Sequence, residues 1–395
     1  MDTDIHVKEG DVLVTKDGSI GKLAHVDALP GPACLNSHLL IIRPAGKREY
    51  AGRFLYYMLQ SPQFSQFILE EQSGTTFYGI SQESIENVPA FFPSEMQEQS
   101  AIAHFLDRKT AKIDDLIARK ERILDLIEEL KRSTQFRYIT GADSPHPKRE
   151  SLDSRLPSVP NLWTAEKLGY LARMVSGGTP SKENAAFWNG EIPWVSPKDM
   201  KVPYLSDSED HITSEAVLAA SLDVLPASTI LIVVRGMILA HSIPVCLLLS
   251  PATINQDIKA LRFSSKCNPQ FMLVWLQGMA HIMHSLIEES AHGTRCLRTD
   301  LLKNVVIHLP PLDEQAGIVS ALNAEIETLE KTARPITAAI SLLHEYRDAL
   351  ISAAVPANST SASTKNNPMP WLDRLRPNHD GPAPQRLTYS DSRII

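Results

Sequence analysis

Cysteine is scarce and scattered. Cys34, Cys246, Cys267 and Cys296 form no C-x-x-C pair, so neither a zinc ribbon nor a disulfide framework is implied. No apolar run approaches the roughly 20 residues of a membrane helix. The opening MDTDIHVKEG is polar and acidic, unlike a secretory signal peptide. Together these point most simply to the reducing cytoplasm. Basic charge is also short: 39 Lys+Arg against 46 Asp+Glu leave a net charge of −7. By segment, residues 1–93 carry −4, 94–142 balance, 160–309 carry −1, 310–357 carry −4, and the tail 358–395 carries +2. No segment has the basic footprint of a protein that grips DNA unaided, so another subunit would have to supply much of any phosphate attraction. There is no G-x-x-x-x-G-K-[ST] loop for ATP and no H-E-x-x-H pair for a metal. His281 and His284, three apart on a predicted helix, read as helix-face residues, and neither a metal nor a cofactor is expected.

What the chain does have is a long helical stretch, given twice. Residues 94–142 contain no proline and no glycine before Gly141, which is placed to end the helix. Ser94 and Gln97 have the spacing of a capping box. Apolar residues recur at heptad spacing. One column is Leu106, Ile113, Lys120, Ile127; the other is Ile102, Lys109, Leu116, Ile123, Leu130. Such a helix is roughly 70 Å long, and a stripe this narrow needs a partner helix to bury it. Adding 216 to each number lands on a second copy in residues 310–357, with Glu98-Gln99 on Glu314-Gln315 and Leu106 on Leu322. Its seam is Leu322, Leu329, Ile336, Leu343, Leu350, with Pro335 expected to kink it. The pattern predicts antiparallel helices in which Ile113, Leu116, Ile127 and Leu130 face Leu329, Ile336, Leu343 and Leu350.

The duplication extends into the globular parts. Val12-Leu13-Val14 parallels Leu231-Ile232-Val233, and NSHLLIIR (Asn36–Arg43) parallels NQDIKALR (Asn255–Arg262). The Asn common to both suits a shared Asx turn. Strands are predicted over 10–15, 39–43 and 229–234, and helices over 49–69, broken at Ser61-Pro62, and 271–287. Residues 143–159 read as a Pro/Ser-rich linker. The second copy holds about 65 residues, Pro160 to about Ala227, with no counterpart in the first. The first module is therefore expected to have an under-filled core, an exposed sheet edge and weaker order. The tail, rich in Ser, Pro and Asn, is expected to lack fixed structure, with Trp371 and Leu372 as candidates for docking a partner. The class is α+β: two globular domains separated and followed by two long antiparallel coiled-coil helices.

PNLWTAEKLG, then SGGTPS, then IPWVSPKDM, with the paired helix starts PSEMQEQSAIAHFLD and PPLDEQAGIVSAL, resemble the specificity subunit of type I restriction–modification systems over about residues 1–357. The resemblance implies target-recognition domain 1 over 1–93 (shortened at its N-terminus), spacer helix 1 over 94–142, a linker over 143–159, target-recognition domain 2 over 160–309 and spacer helix 2 over 310–357. It implies a non-catalytic subunit that reads a split site in double-stranded DNA and docks two methylation subunits and, with them, restriction subunits. No Asn-Pro-Pro-aromatic motif of an adenine methyltransferase occurs; Asn87-Val88-Pro89 lacks the paired prolines. The residues alone leave two alternatives open: a coiled-coil scaffold with no nucleic-acid role, which the acidic charge favours, and a remnant with one working recognition domain.

Base reading needs donors and acceptors on exposed loops. In the second module the candidates are Gly177, Gly178 and Thr179 of the SGGTPS turn, with Lys198, Arg235, Arg295 and Arg298. Gly177 and Gly178 suit either backbone contact with a phosphate or a plain tight turn. Arg295 and Arg298 suit base or phosphate contact or a solvated face, and Arg235 such a contact or a salt bridge. In the first module the candidates are Lys16, Asp17, Ser19, Thr75, Thr76 and Tyr78. Trp163 and Trp194 are expected in the core.

Overall fold

The computed structural model describes residues 6–43, 50–71, 79–86, 93–151, 158–289 and 293–355. The chain forms two compact units, Met1–Ile123 with Pro335–Ile395, and Leu124–Arg334. The first long helix, Met96–Thr140, contributes to both, as does the second, Leu312–Ala354. The class is α+β. The tail 358–395, with Trp371 and Leu372, lies outside the described residues.

In the first unit a three-stranded antiparallel sheet has Val12–Thr15 at its centre, between Leu23–His25 and Leu39–Ile42. Val12 and Val14 alternate inward, as period-2 sequence demands, and meet the buried face of the helix Gly52–Leu59 through Phe54, Leu55 and Met58. Both long helices complete this core. The first sends in Ile102, Leu106, Ile113 and Ile117, and the end of the second sends in Leu350, Ile351, Ala354 and Val355. Arg347 pairs with Asp114 at 3.0 Å beside them. Among the described residues, Leu39–Ile42 has a strand neighbour on one side only.

In the second unit the corresponding three strands are Val245–Leu248, Ile230–Val233 and Ile258–Phe263. Two more flank them: Ala172–Ser176 beside Ile258–Phe263, and Tyr204–Leu205 beside Val245–Leu248. Both outer strands come from the stretch present only in this module. Ile230–Val233 is buried at every residue, which is why it reads as a continuous apolar run. The expected helix over 271–287 is shorter. Pro269–Gly278 is one helix, capped by the Asn268 side chain, and Ala280–Met283 is another; Ile287 already begins a strand. The break falls at Gly278, where a Cβ would come within 2.5 Å of Ile139. Part of the expected linker is ordered as a two-stranded ladder, Lys148–Glu150 against Ser158–Pro160. Trp163 and Trp194 are buried as expected.

The helix starts explain the repeated Glu-Gln. Gln99 is buried; its Oε1 accepts the Ala51 N–H at 2.9 Å and its Nε2 donates to the Pro93 carbonyl at 2.9 Å. Gln315, its equivalent, accepts the Asn268 N–H at 2.7 Å and donates to the Lys266 and Pro310 carbonyls, both at 2.9 Å. Each Gln thus ties its long helix to the residue just ahead of its own module's main helix, Gly52–Leu59 or Pro269–Gly278. Glu314 accepts from the Trp163 indole at 3.1 Å, a contact whose aromatic partner belongs to the stretch unique to the second module. The anticipated Ser94–Gln97 capping box is not the fastening, since the helix begins at Met96, beyond Ser94. At the other end, Gly141 (φ 69°) closes a Schellman turn, with Ala142 N–H on Arg137 O and Gly141 N–H on Tyr138 O.

The seam is half as read. Leu106, Ile113 and Ile127 are buried, but the second column is Thr110, Ile117, Leu124, Lys131, Tyr138, one residue on from the column expected. Leu116 and Leu130 are 43% and 47% exposed, so they are not seam residues. Both candidate columns lie at three- or four-residue steps from the first; contact with the other helix selects between them. Of the second helix's column, Leu322 and Leu350 are buried and Leu329, Ile336 and Leu343 half-buried. In the second unit the helices run antiparallel, because Lys131 pairs with Glu330 at 3.5 Å while Arg137 pairs with Glu325 at 3.2 Å. The second long helix continues unbroken through Pro335.

Three substitutions check this account. Leu106→Ala should cost about 2–5 kcal/mol in denaturant unfolding, whereas Leu130→Ala should stay within about 0.5 kcal/mol of the parent. Gln315→Ala, which strands the Asn268 N–H, should cost about 1–3 kcal/mol.

Candidate nucleic-acid interface

Two chain runs lie side by side on the second unit, 176–179 and 254–259. Gly178 N–H donates to the Ile254 carbonyl at 3.0 Å, the Thr179 hydroxyl to the Gln256 side-chain oxygen, and the Lys259 ammonium to the Ser176 hydroxyl. Gly177 is required because a Cβ there would lie 2.1 Å from the Ile254 carbonyl oxygen. The SGGTPS glycines therefore have a packing cause, and the Gly178 N–H is committed inside the protein. Trp194 donates its indole N–H to the Gly178 carbonyl at 2.9 Å, fixing the turn from below.

The turn forms one wall of a polar cavity of about 610 Å³, whose lining includes Thr179, Lys182, Trp194, Lys198, Asn255 and Gln256. Asn255 is buried, and its Oδ1 accepts the Asp257 N–H at 3.0 Å. Asn36 does the same for the His38 N–H at 3.0 Å, so the Asn shared by the repeats makes the expected Asx turn in both. Gln256, beside it, is exposed, and its amide keeps one end free for a ligand among the described residues.

The expected cations divide in a way the sequence did not show. Lys198 is clamped by Asp210 at 2.9 Å and Glu209 at 3.1 Å, which hold its ammonium above the usual lysine range. Arg298 is held by Asp300 and Glu288, both at 2.6 Å, and its guanidinium raises the pair's stake in the charged forms: the Asp300 carboxyl falls to about 2. Arg295 reaches Glu289 at 3.6 Å. Arg235 has no ion-pair partner among the described residues. Nor do Lys182, Lys259 and Lys303, which are not among the candidates the sequence offers. Their signal would have been the absence of a nearby acid, which only tertiary contacts reveal.

In the first unit, Asp17 accepts from or pairs with His38 at 2.7 Å, Lys16 is fixed through its backbone to His38 and Ile80, and the Ser19 carbonyl accepts from the Thr15 hydroxyl. These three candidates share one turn, closed by Gly18 at φ 65°. Thr75, Thr76 and Tyr78 lie outside the described residues. The Tyr57 hydroxyl, fully buried and pushed up to about 12 chiefly by that burial, donates to Asp107 at 2.7 Å, where Arg53 also donates at 2.7 Å; this network ties the first long helix to its module. His281 sits on a helix with its ring edge on Phe136, and no group of side chains suited to a metal occurs among the described residues. No helix among them is long and apolar enough to cross a membrane.

Comparison with known proteins adds the family. Residues 2–128 and 160–338, more than half of the chain, match the type I restriction modification DNA specificity domain, once in each module. The chain is similar to the EcoR124I/EcoR124II specificity subunit of Escherichia coli, with 35% identity over 195 residues, 48% of each chain. It is also similar to the MjaIX specificity subunit of Methanocaldococcus jannaschii, with 27% identity over 179 residues, 44% of this chain and 40% of that one. These matches thus span less than half of either relative. A chain from a solved structure of the type I R-M system shares the fold, with a TM-score of 0.62 at 19% identity over 88% of this chain and 82% of that one. The matched residues fall on the two modules and the starts of the two long helices that the geometry had already paired, and on that match the chain belongs to the family of type I restriction modification DNA specificity domains.

Proposed function

We propose that the chain is the DNA-specificity subunit of a type I restriction–modification complex. It reads a bipartite target in double-stranded DNA and performs no catalysis itself. The observation that carries this reading is the repeated device of sheet, helix and buried Gln joined to a long helix, once per module. Two modules suit two half-sites, and long helices can set their separation against the roughly 34 Å turn of DNA. Two module-plus-helix copies also suit two methylation subunits, with restriction subunits joining the assembly. The first long helix keeps Leu116, Ile123, Leu126 and Leu130 exposed outside its seam. Such a stripe supports docking of a partner helix from a methylation subunit.

A second reading has its own observation: among the described residues, the strand Leu39–Ile42 lacks the outer neighbour that Ile258–Phe263 has in Ala172–Ser176. On that reading only the second module reads bases. One experiment addresses both. Adenine methylation is mapped in cells carrying the methylation subunit with and without this chain. A bipartite motif that appears only with the chain supports the first reading, a single half-site supports the second, and an unchanged map refutes both. For docking, Ile123→Asp should abolish co-purification with the methylation subunit while leaving the melting temperature of the chain unchanged; retained co-purification would refute the stripe as the docking face.

A further inference from the structure

Three cations of the second unit, Arg235, Lys259 and Lys303, have no ion-pair partner among the described residues, and the charges of the first and last reach the second. Arg235 follows the strand Ile230–Val233, is exposed, and donates its backbone N–H to the Asp257 carbonyl at 3.2 Å. Lys259 lies on the adjacent strand opposite Ile232 and, across its other edge, opposite Ser176. Lys303 follows the short helix Thr299–Leu302, and its carbonyl accepts the Gly169 N–H at 2.9 Å, just ahead of the strand Ala172–Ser176. All three are therefore set on hydrogen-bonded backbone. Burial, then the charges of Lys303 and Arg235, push the Lys259 ammonium below the usual lysine range. Like charges brought together cost stability. Elsewhere in this unit the cost is offset, since Lys198, Arg295 and Arg298 each have a carboxylate. Here none of the three has one among the described residues, in a chain with more acids than bases.

An anion from outside would complete the cluster. Its place favours a polyanion over a free phosphate. The cluster is continuous with the polar cavity: Lys259 holds Ser176 at one end of the run 176–179, and Gln256 meets Thr179 at the other. Resting on the reading of this chain as a DNA-specificity subunit, we propose that Arg235, Lys259 and Lys303 contact the phosphate backbone of the target. In this role they position the duplex so that Thr179, Lys182 and Gln256 face base edges. Phosphate contacts set register without reading sequence, whereas an exposed Gln can pair with adenine and a Lys with guanine.

The test uses the complex of this chain with its methylation subunit. Duplexes carrying either the methylated motif or a scrambled sequence are titrated by fluorescence anisotropy over a range of salt. Each of Arg235→Ala, Lys259→Gln and Lys303→Ala should weaken both duplexes alike, by roughly eightfold at about 0.1 M salt, and lower the slope of log affinity against log salt by about 0.9. Gln256→Ala should reduce the preference for the cognate duplex and leave the slope unchanged. The melting temperature of the Lys259→Gln chain should hold or rise, because a repelled, half-buried cation has been removed; a fall would mark a structural role and overturn the assignment. If the parent complex prefers its motif but all three variants keep the parent slope, this assignment is wrong and the DNA-specificity reading stands. A parent complex with no preference for the motif would overturn that reading and this assignment together.

Discussion

A buried glutamine amide at the first turn of each long helix is the fastening on which the architecture depends. The amide has a donor end and an acceptor end, and each module uses both: one on the backbone before the long helix, the other on the residue ahead of the module's main helix. Glu in that place would have no donor for the carbonyl, and Lys no acceptor for the N–H. Because the group is buried, losing either bond leaves a desolvated polar atom, so the contact dictates geometry more strongly than its net energy suggests. It joins the first turn of each long helix to its module.

The helices then meet through an uneven seam. In the first unit it is apolar, with Ile113 and Ile117 in the same core as Leu350 and Ile351. In the second unit it is largely polar: Glu325 accepts from Thr134 and Arg137, and Glu330 from Lys131. Polar contacts of this kind set register and orientation more than they add stability. They also free the leucines and isoleucine of the neighbouring column to lie at the surface, where a stripe seven residues apart is available to another helix.

Net charge is a poor guide to such a molecule. An acidic chain can still present local positive charge if its carboxylates are spent elsewhere. That is the arrangement in the second unit, where Glu209, Asp210, Glu288, Glu289 and Asp300 neutralise the loop cations and, among the described residues, leave Arg235, Lys259 and Lys303 without a carboxylate partner. A Debye length of about 10 Å at about 0.1 M salt makes the local arrangement count for more than the sum over the chain.

The sequence by itself determined the repeat, both long helices, the Asx turns at Asn36 and Asn255, the closing glycine at 141 and the burial of Trp163 and Trp194. Each is a local or periodic property: a side chain bonding two residues on, a residue tolerating positive φ, an apolar run that water excludes. Tertiary structure decided the rest. Leu116 and Ile117 are adjacent in sequence and both apolar, and only tertiary packing selects which one is buried. Lys198 and Lys259 are equally basic in the sequence, and only folding brings Glu209 and Asp210 to the first and Lys303 and Arg235 to the second. Partners like these are set by where strands and loops meet in space, and Coulomb energy depends on that separation rather than on distance along the chain.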